Sequence, residues 1–67
     1  MPAVKVVEIV GVSDRSWHDA VTNALSEASK TIRGIRGIDV VSTTAKVDHD
    51  KIIEYHATVK FAFPVER

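Results

Sequence analysis

Apolar and polar residues follow a strand pattern and then a helix pattern in the first half of the chain. Residues 4–10 read VKVVEIV, and this largely β-branched, apolar composition predicts a strand with much of both faces covered. Gly11 and the polar residues 13–16 predict a turn after it. Apolar residues then recur at intervals of three and four, the spacing that gathers side chains on one helical face. They are Trp17, Ala20, Val21, Ala24, Leu25, Ala28 and Ile32.

The predicted helix has a recognisable start and end. Ser16 and Asp19 have the spacing of a capping box, which makes Trp17 the first helical residue. Gly34 is placed to end the helix, because glycine readily adopts the left-handed conformation found just beyond a last turn. The expected length is about 16 to 18 residues.

Two extended segments follow the helix. Residues 38–47 alternate between two sides, as a strand does. One side carries Ile38, Val40, Ser42, Thr44 and Lys46, and the other carries Asp39, Val41, Thr43, Ala45 and Val47. The segment Asp48-His49-Asp50 predicts a hairpin. The last strand ends at Pro64, and six of its residues are expected to face the helix: Ile53, Tyr55, Ala57, Val59, Phe61 and Phe63.

This order of elements predicts the fold class. Strand, helix, strand, strand is a β-α-β-β arrangement of the α+β class, with a three-stranded antiparallel sheet packed on one helix in a single domain, residues 1–67. One helix covers only one face of the sheet. The other face is expected to contact a subunit or a ligand, and its polar residues are Ser42, Thr44, His56, Thr58 and Lys60.

The length and composition indicate that the chain associates with partner subunits. A chain of 67 residues buries only ~60% of its unfolded surface and is marginally stable alone. It contains no Cys, which excludes disulfides and Cys-based zinc sites as reinforcement. Small domains of this kind are commonly stabilised by oligomerisation.

The charge pattern narrows the partners and the location. Nine basic and nine acidic residues cancel, and no basic run forms the footprint of a nucleic-acid binder. The N-terminus is interrupted by Lys5 and Glu8, unlike the core of a signal peptide. We therefore expect a cytoplasmic protein with neither a membrane span nor a nucleic-acid partner.

The candidate chemistry is sparse. The three histidines, His18, His49 and His56, lie on different predicted elements without the spacing of metal ligands, so we expect no metal site. The chain has no Gly-rich phosphate loop, and nothing places a nucleophile beside a base. The sequence therefore predicts a binding protein rather than an enzyme.

Four segments together resemble the dodecin family: VKVVEIVGVS, SWHDAVTNAL, TIRGIRGIDVV and EYHATVKFAF. The resemblance covers nearly the whole chain. It implies the strand–helix–strand–strand fold and a hollow homododecamer, and in flavin-binding dodecins flavins are held in pairs between symmetry-related subunits.

The resemblance also implies a ligand site at the subunit interface, formed by Arg36, Gly37, Lys46 and His56. In flavin-binding dodecins a Trp at the position of Gly37 stacks on the flavin, and a Gln at the position of His56 hydrogen-bonds its polar edge. Arg36 and Lys46 are placed to meet a phosphate. The implied function is storage or sequestration of riboflavin or FMN.

A second hypothesis is a flavin-free dodecin-like assembly with a structural or calcium-binding role. Dodecin-like proteins without the stacking Trp include calcium binders, and this chain shares with them a Trp after the cap Ser, here Trp17. The hairpin supplies two carboxylates, Asp48 and Asp50, which are oxygen ligands of the kind that calcium takes.

Overall fold

The computed structural model describes residues 3–65, which form one sheet and one helix. The elements are β1 (Val4–Ser13), α1 (Trp17–Ala28), β2 (Gly37–Asp48) and β3 (Lys51–Pro64). β3 lies in the centre of the sheet and pairs antiparallel with both neighbours, in the order β1-β3-β2. This confirms the predicted α+β fold. Of the predicted domain 1–67, residues 1–2 and 66–67 lie outside the described part.

Gly11 belongs to β1, so the predicted turn at this residue is wrong. It pairs with Ala57 in the sheet, and the strand continues to Ser13. A Cβ atom at Gly11 would lie 2.0 Å from the backbone oxygen of Ala20. Glycine is therefore required here by the close approach of the helix to the strand, and not by a change of chain direction.

The start of α1 follows the prediction. The Oγ of Ser16 accepts a hydrogen bond from the backbone N–H of Asp19 at 3.0 Å, as an N-cap residue does. The Asp19 carboxylate accepts instead from the Oγ–H of Ser13 at 2.7 Å. One half of the capping box is thus present, and the acid links the helix to the end of β1.

The predicted end of the helix is wrong. α1 has 12 residues and ends at Ala28, with Ser29 as C-cap. The N–H groups of Lys30 and Thr31 donate three residues back, to Glu27 and Ala28, which tightens the last turn. Ser and Thr are weak helix formers. Gly34, with φ +75°, therefore lies in the connection to β2.

Within the described residues, no helix has the length and apolar character needed to cross a membrane.

The core lies where α1 crosses β3. Its buried apolar residues are Ala20, Ala24, Ala28, Ala57, Val59 and Phe61. The three helical alanines confirm the predicted buried stripe. The predicted helix-facing side of β3 is confirmed in its middle, whereas Ile53 is 42% exposed because it is the extra residue of a bulge opposite Lys46 and Val47.

β2 does not keep the alternation that the sequence suggests. Ile38 and Val40 pair with Phe61 and Val59, on the helix side. An extra residue, Val41, then interrupts the register, and one inserted residue moves all later side chains to the opposite face. Partners on the opposite face are Ser42 with Thr58, Thr44 with His56, and Lys46 with Glu54. The prediction that Ile38 and Val40 share a side with Ser42, Thr44 and Lys46 is wrong, whereas Ser42 and Thr44 do join His56 and Thr58.

Much of the sheet is uncovered in the single chain. Every residue of β2 is exposed, and on β1 the face that bears Val4, Val6, Val10 and Val12 is open, although the sequence favours a strand covered on both faces. The molecule measures 52 × 20 × 13 Å, with a radius of gyration of 13.8 Å. A compact domain of this length has about 11 Å. The hairpin of β2 and β3 therefore projects beyond the helix.

Candidate functional site

Gly37 is the first residue of β2, and Arg36 directly precedes it. The backbone N–H of Arg36 donates to the oxygen of Ala62 at 2.8 Å, and Gly37 is the Cα partner of Ala62. Both residues are exposed. A Cβ atom at Gly37 would meet nothing within 4 Å, so this position has room for a side chain. Arg36 lines a cleft of about 290 Å³ together with Val4, Phe63 and Pro64.

Lys46 and His56 lie farther along the same hairpin, on the uncovered face of the sheet. His56 has Val12 of β1 on one side and Thr44 of β2 on the other. Lys46 is the partner of Glu54, two residues before His56. The sheet therefore brings Lys46, His56 and the Thr44 side chain into one polar group bordered by valine.

The His56 imidazole contacts Glu54, a neighbour that the sequence pattern did not indicate. His56 Nε2 and Glu54 Oε1 lie 2.7 Å apart, with side chains 33% and 40% exposed. An ionised carboxylate only accepts hydrogen bonds, so Nε2–H is the donor, and a neutral imidazole keeps Nδ1 as an acceptor. The contact with Glu54 therefore orients the imidazole ring. The sequence did contain a signal for this contact. Glu54 and His56 are two residues apart on one strand, which places both side chains on the same face.

The four predicted ligand contacts form two separate groups in a single chain. Gly37 pairs with Ala62 and Thr44 pairs with His56, so the two groups are six residues apart along β3. At ~3.3 Å per residue this is about 20 Å. A single aromatic ring system cannot therefore contact both Gly37 and His56 of one chain.

The hairpin that bears Asp48 and Asp50 is a two-residue turn. Asp48 pairs with Lys51, and the two residues between them have φ values of +52° at His49 and +63° at Asp50. Positive φ at both central positions is the geometry of a type I′ turn. The prediction of a hairpin here is confirmed. Within residues 3–65, no three His, Asp or Glu side chains come together as a metal site would require.

Comparison with known proteins places the chain in a family. A family model described as Dodecin matches residues 3–66. The calcium dodecin of Mycobacterium tuberculosis is 30% identical over 63 residues, 94% of this chain and 89% of that protein. The Streptomyces coelicolor dodecin structure gives a TM-score of 0.95 at 26% identity, covering 98% of this chain and 94% of that one.

A variant of the Thermus thermophilus dodecin also gives a TM-score of 0.95, at 27% identity and with 100% of both chains covered. Sequence and fold thus agree over nearly the full length of the chain, and the chain belongs to the dodecin family.

Proposed function

We propose that this chain assembles with copies of itself into a closed shell, a homododecamer, that binds and stores a small aromatic ligand of the flavin class, riboflavin or FMN, at its subunit contacts. The observation that carries the proposal is the uncovered apolar surface of the single chain. The shell and the storage of a ligand within it make no use of a catalytic group, and the proposed role is not enzymatic.

The balance of buried and exposed apolar residues supports assembly. Within the described part of the chain, four of the six buried apolar residues are alanines, and the large ones are Val59 and Phe61. By contrast, twelve large apolar side chains in residues 3–65 are at least 39% exposed: Val4, Val6, Val10, Val12, Trp17, Ile38, Val40, Val41, Val47, Ile52, Ile53 and Val65. Burying an aliphatic side chain contributes about 1.5–3 kcal/mol. Contacts between copies therefore supply the burial that one chain lacks.

The separation of the candidate contacts supports a site shared by subunits. In one chain about 20 Å of strand separates Gly37 from His56, so a ligand that meets both must lie between two copies. The His56 group then offers an imidazole, a lysine cation and an apolar border from Val12. Ligand pockets typically combine apolar walls with a few oriented polar groups of this kind.

Gly37 is the residue that distinguishes this chain from flavin binders with an aromatic platform. It offers no ring for stacking, so the proposed affinity for flavin depends on His56, Arg36, Lys46 and the partner subunit. The open space around its Cα makes the position suitable for a gain-of-function test.

A calcium-binding assembly is the second candidate, favoured by the calcium dodecin of Mycobacterium tuberculosis at 30% identity. Calcium takes six to eight oxygen ligands. Because the described part of a single chain brings no three such side chains together, the carboxylates would have to come from several copies.

The test is the absorbance spectrum of the native oligomer, followed by titration with riboflavin and FMN while flavin fluorescence is monitored. Quenching at micromolar ligand supports the flavin proposal. Gly37→Trp is expected to tighten binding about tenfold or more, because stacking adds to apolar burial. Gly37→Leu is the control that adds bulk without a ring face. Absence of quenching in the native protein contradicts flavin storage, and calorimetric titration with calcium then tests the second candidate.

A further inference from the structure

Trp17 connects the start of the helix to the strand pair that carries His56. Its indole Nε1–H donates a hydrogen bond to the backbone oxygen of Thr44 at 2.8 Å. Its ring meets the Tyr55 ring edge-on, with centroids 4.8 Å apart and an interplanar angle of 80°, an arrangement that aromatic quadrupoles favour. One side chain of α1 is therefore attached to both β2 and β3.

These contacts lie directly behind His56. Thr44 is the Cα partner of His56, and Ala45 is the partner of Tyr55. Consecutive side chains of a strand point to opposite faces, so Tyr55 meets Trp17 on the helix side while Thr44 and His56 present their side chains on the uncovered face. Trp17 thus contacts, from the helix side, the two residue pairs Thr44–His56 and Ala45–Tyr55. The candidate ligand contact, His56, lies on the opposite face.

Apart from the bond of Trp17 to Thr44, α1 has few contacts with β2. Every residue of β2 is exposed, and the extra residues Val41 and Ile53 interrupt the register on either side. Bulges disrupt pairing locally and increase twist. Among the side-chain hydrogen bonds of residues 3–65, the bond from Trp17 to Thr44 is the one that joins α1 to β2.

We propose that Trp17 is a positioning residue for the His56 site. By fixing Thr44 and Tyr55 from the helix side, it sets the orientation in which Thr44 and His56 meet a ligand on the other face. The ligand in this inference rests on the proposed function, whereas the effect of Trp17 on the strand pair does not depend on which ligand binds.

The test compares Trp17→Phe with Ser16→Ala in the intact oligomer. Trp17→Phe keeps a ring beside Tyr55 and removes the N–H donor. We expect amide hydrogen exchange, followed by mass spectrometry, to become about five- to tenfold faster in residues 43–46 and 54–57, as the loss of one hydrogen bond implies. Flavin binding, measured by quenching, should weaken about fivefold.

Ser16→Ala is the matched control. It removes the N-cap acceptor of Asp19 N–H and weakens the same end of the helix, but leaves the indole bond in place. Its faster exchange should be confined to the first turn of α1, with flavin affinity unchanged.

Two results would overturn the proposal: unchanged exchange in both strand segments of Trp17→Phe, or equal weakening of flavin binding in the two variants. If the wild-type protein binds no flavin, that result contradicts the proposed ligand alone, and the exchange pattern decides the role of Trp17.

Should Trp17→Phe not fold, the wild-type protein provides the test. The chain has one Trp, so its NMR spectrum contains a single indole N–H signal. Slow solvent exchange of this proton supports the bond to Thr44, and exchange at the rate of a free indole contradicts it.

Discussion

At the scale of single residues, two glycines of the same chain have opposite roles. Gly11 allows α1 to cross β1, because any larger residue would strike the backbone oxygen of Ala20 and the Cβ of Ala24. Gly37 stands in open space and leaves a position unoccupied in the candidate ligand site. The first glycine is required by packing, whereas we propose that the second affects which ligand the interface binds.

Gly11→Ala should destabilise the protein strongly. The added Cβ would lie 2.0 Å from the Ala20 oxygen, so the helix must move away, at a cost of about 1–3 kcal/mol or more. Gly37→Ala is the control and should change the free energy of unfolding by less than about 0.5 kcal/mol. Denaturant unfolding at fixed protein concentration measures both. Equal stability of the two variants would contradict the close approach of α1 to β1.

The sequence indicated His56 as a candidate ligand contact through a family resemblance, but it could not indicate the surroundings of this residue. The contact with Glu54 depends on the rotamers of both side chains, and the approach of Thr44 depends on the bulge at Val41. Arg36 and Gly37 were grouped with His56 from the same resemblance, but a single chain keeps them apart because they lie on different stretches of one long hairpin.

At the scale of elements, the pattern predicted which segments form strands and helix better than where they end. The spacing of apolar residues placed Ile32 in the predicted helix. In the structure this residue packs against the core from the segment that connects α1 to β2. The pattern cannot distinguish a helical Ile32 from one in the connecting segment, because its side chain is partly buried in either case. The bulge at Val41 could not be predicted either, because β2 has apolar and β-branched residues on both sides of the strand.

The hairpin turn offers a prediction at this scale. Asp50 has φ +63°, a conformation that costs most non-glycine residues about 1–2 kcal/mol. Asp50→Gly should therefore stabilise the protein by about 0.5–1 kcal/mol, and Asp50→Ala should give no gain because the Cβ of alanine is also unfavourable at positive φ. The midpoint of denaturant unfolding reports both. A less stable Asp50→Gly variant would contradict the turn geometry.

At the scale of the whole molecule, the fold is only half enclosed. The helix covers the middle of one face, while β2 and the valine side of β1 remain exposed. Composition alone predicted that the chain needs partners, but it could not indicate which surface is free for them. The strand order puts β3 in the centre of the sheet and leaves β1 and β2 as edges.

A charge on the valine side should prevent assembly. Val10 is 53% exposed in the single chain and lies next to Thr58 on the uncovered face. Val10→Glu would place an unpaired carboxylate in the proposed contact, at a cost of several kcal/mol, and should yield smaller species in size-exclusion chromatography with light scattering. Ser26→Glu, on an exposed position of α1, is the control. An unchanged molar mass for Val10→Glu would exclude this face from the contacts between copies.

The most direct test of self-assembly is the molar mass of the native wild-type protein, measured by native mass spectrometry at several concentrations. Twelve chains of 7.4 kDa give about 89 kDa, and we expect a single closed species of this mass that persists on dilution. A folded monomer of 7.4 kDa, or an open series of sizes that grows with concentration, would contradict assembly into a closed shell.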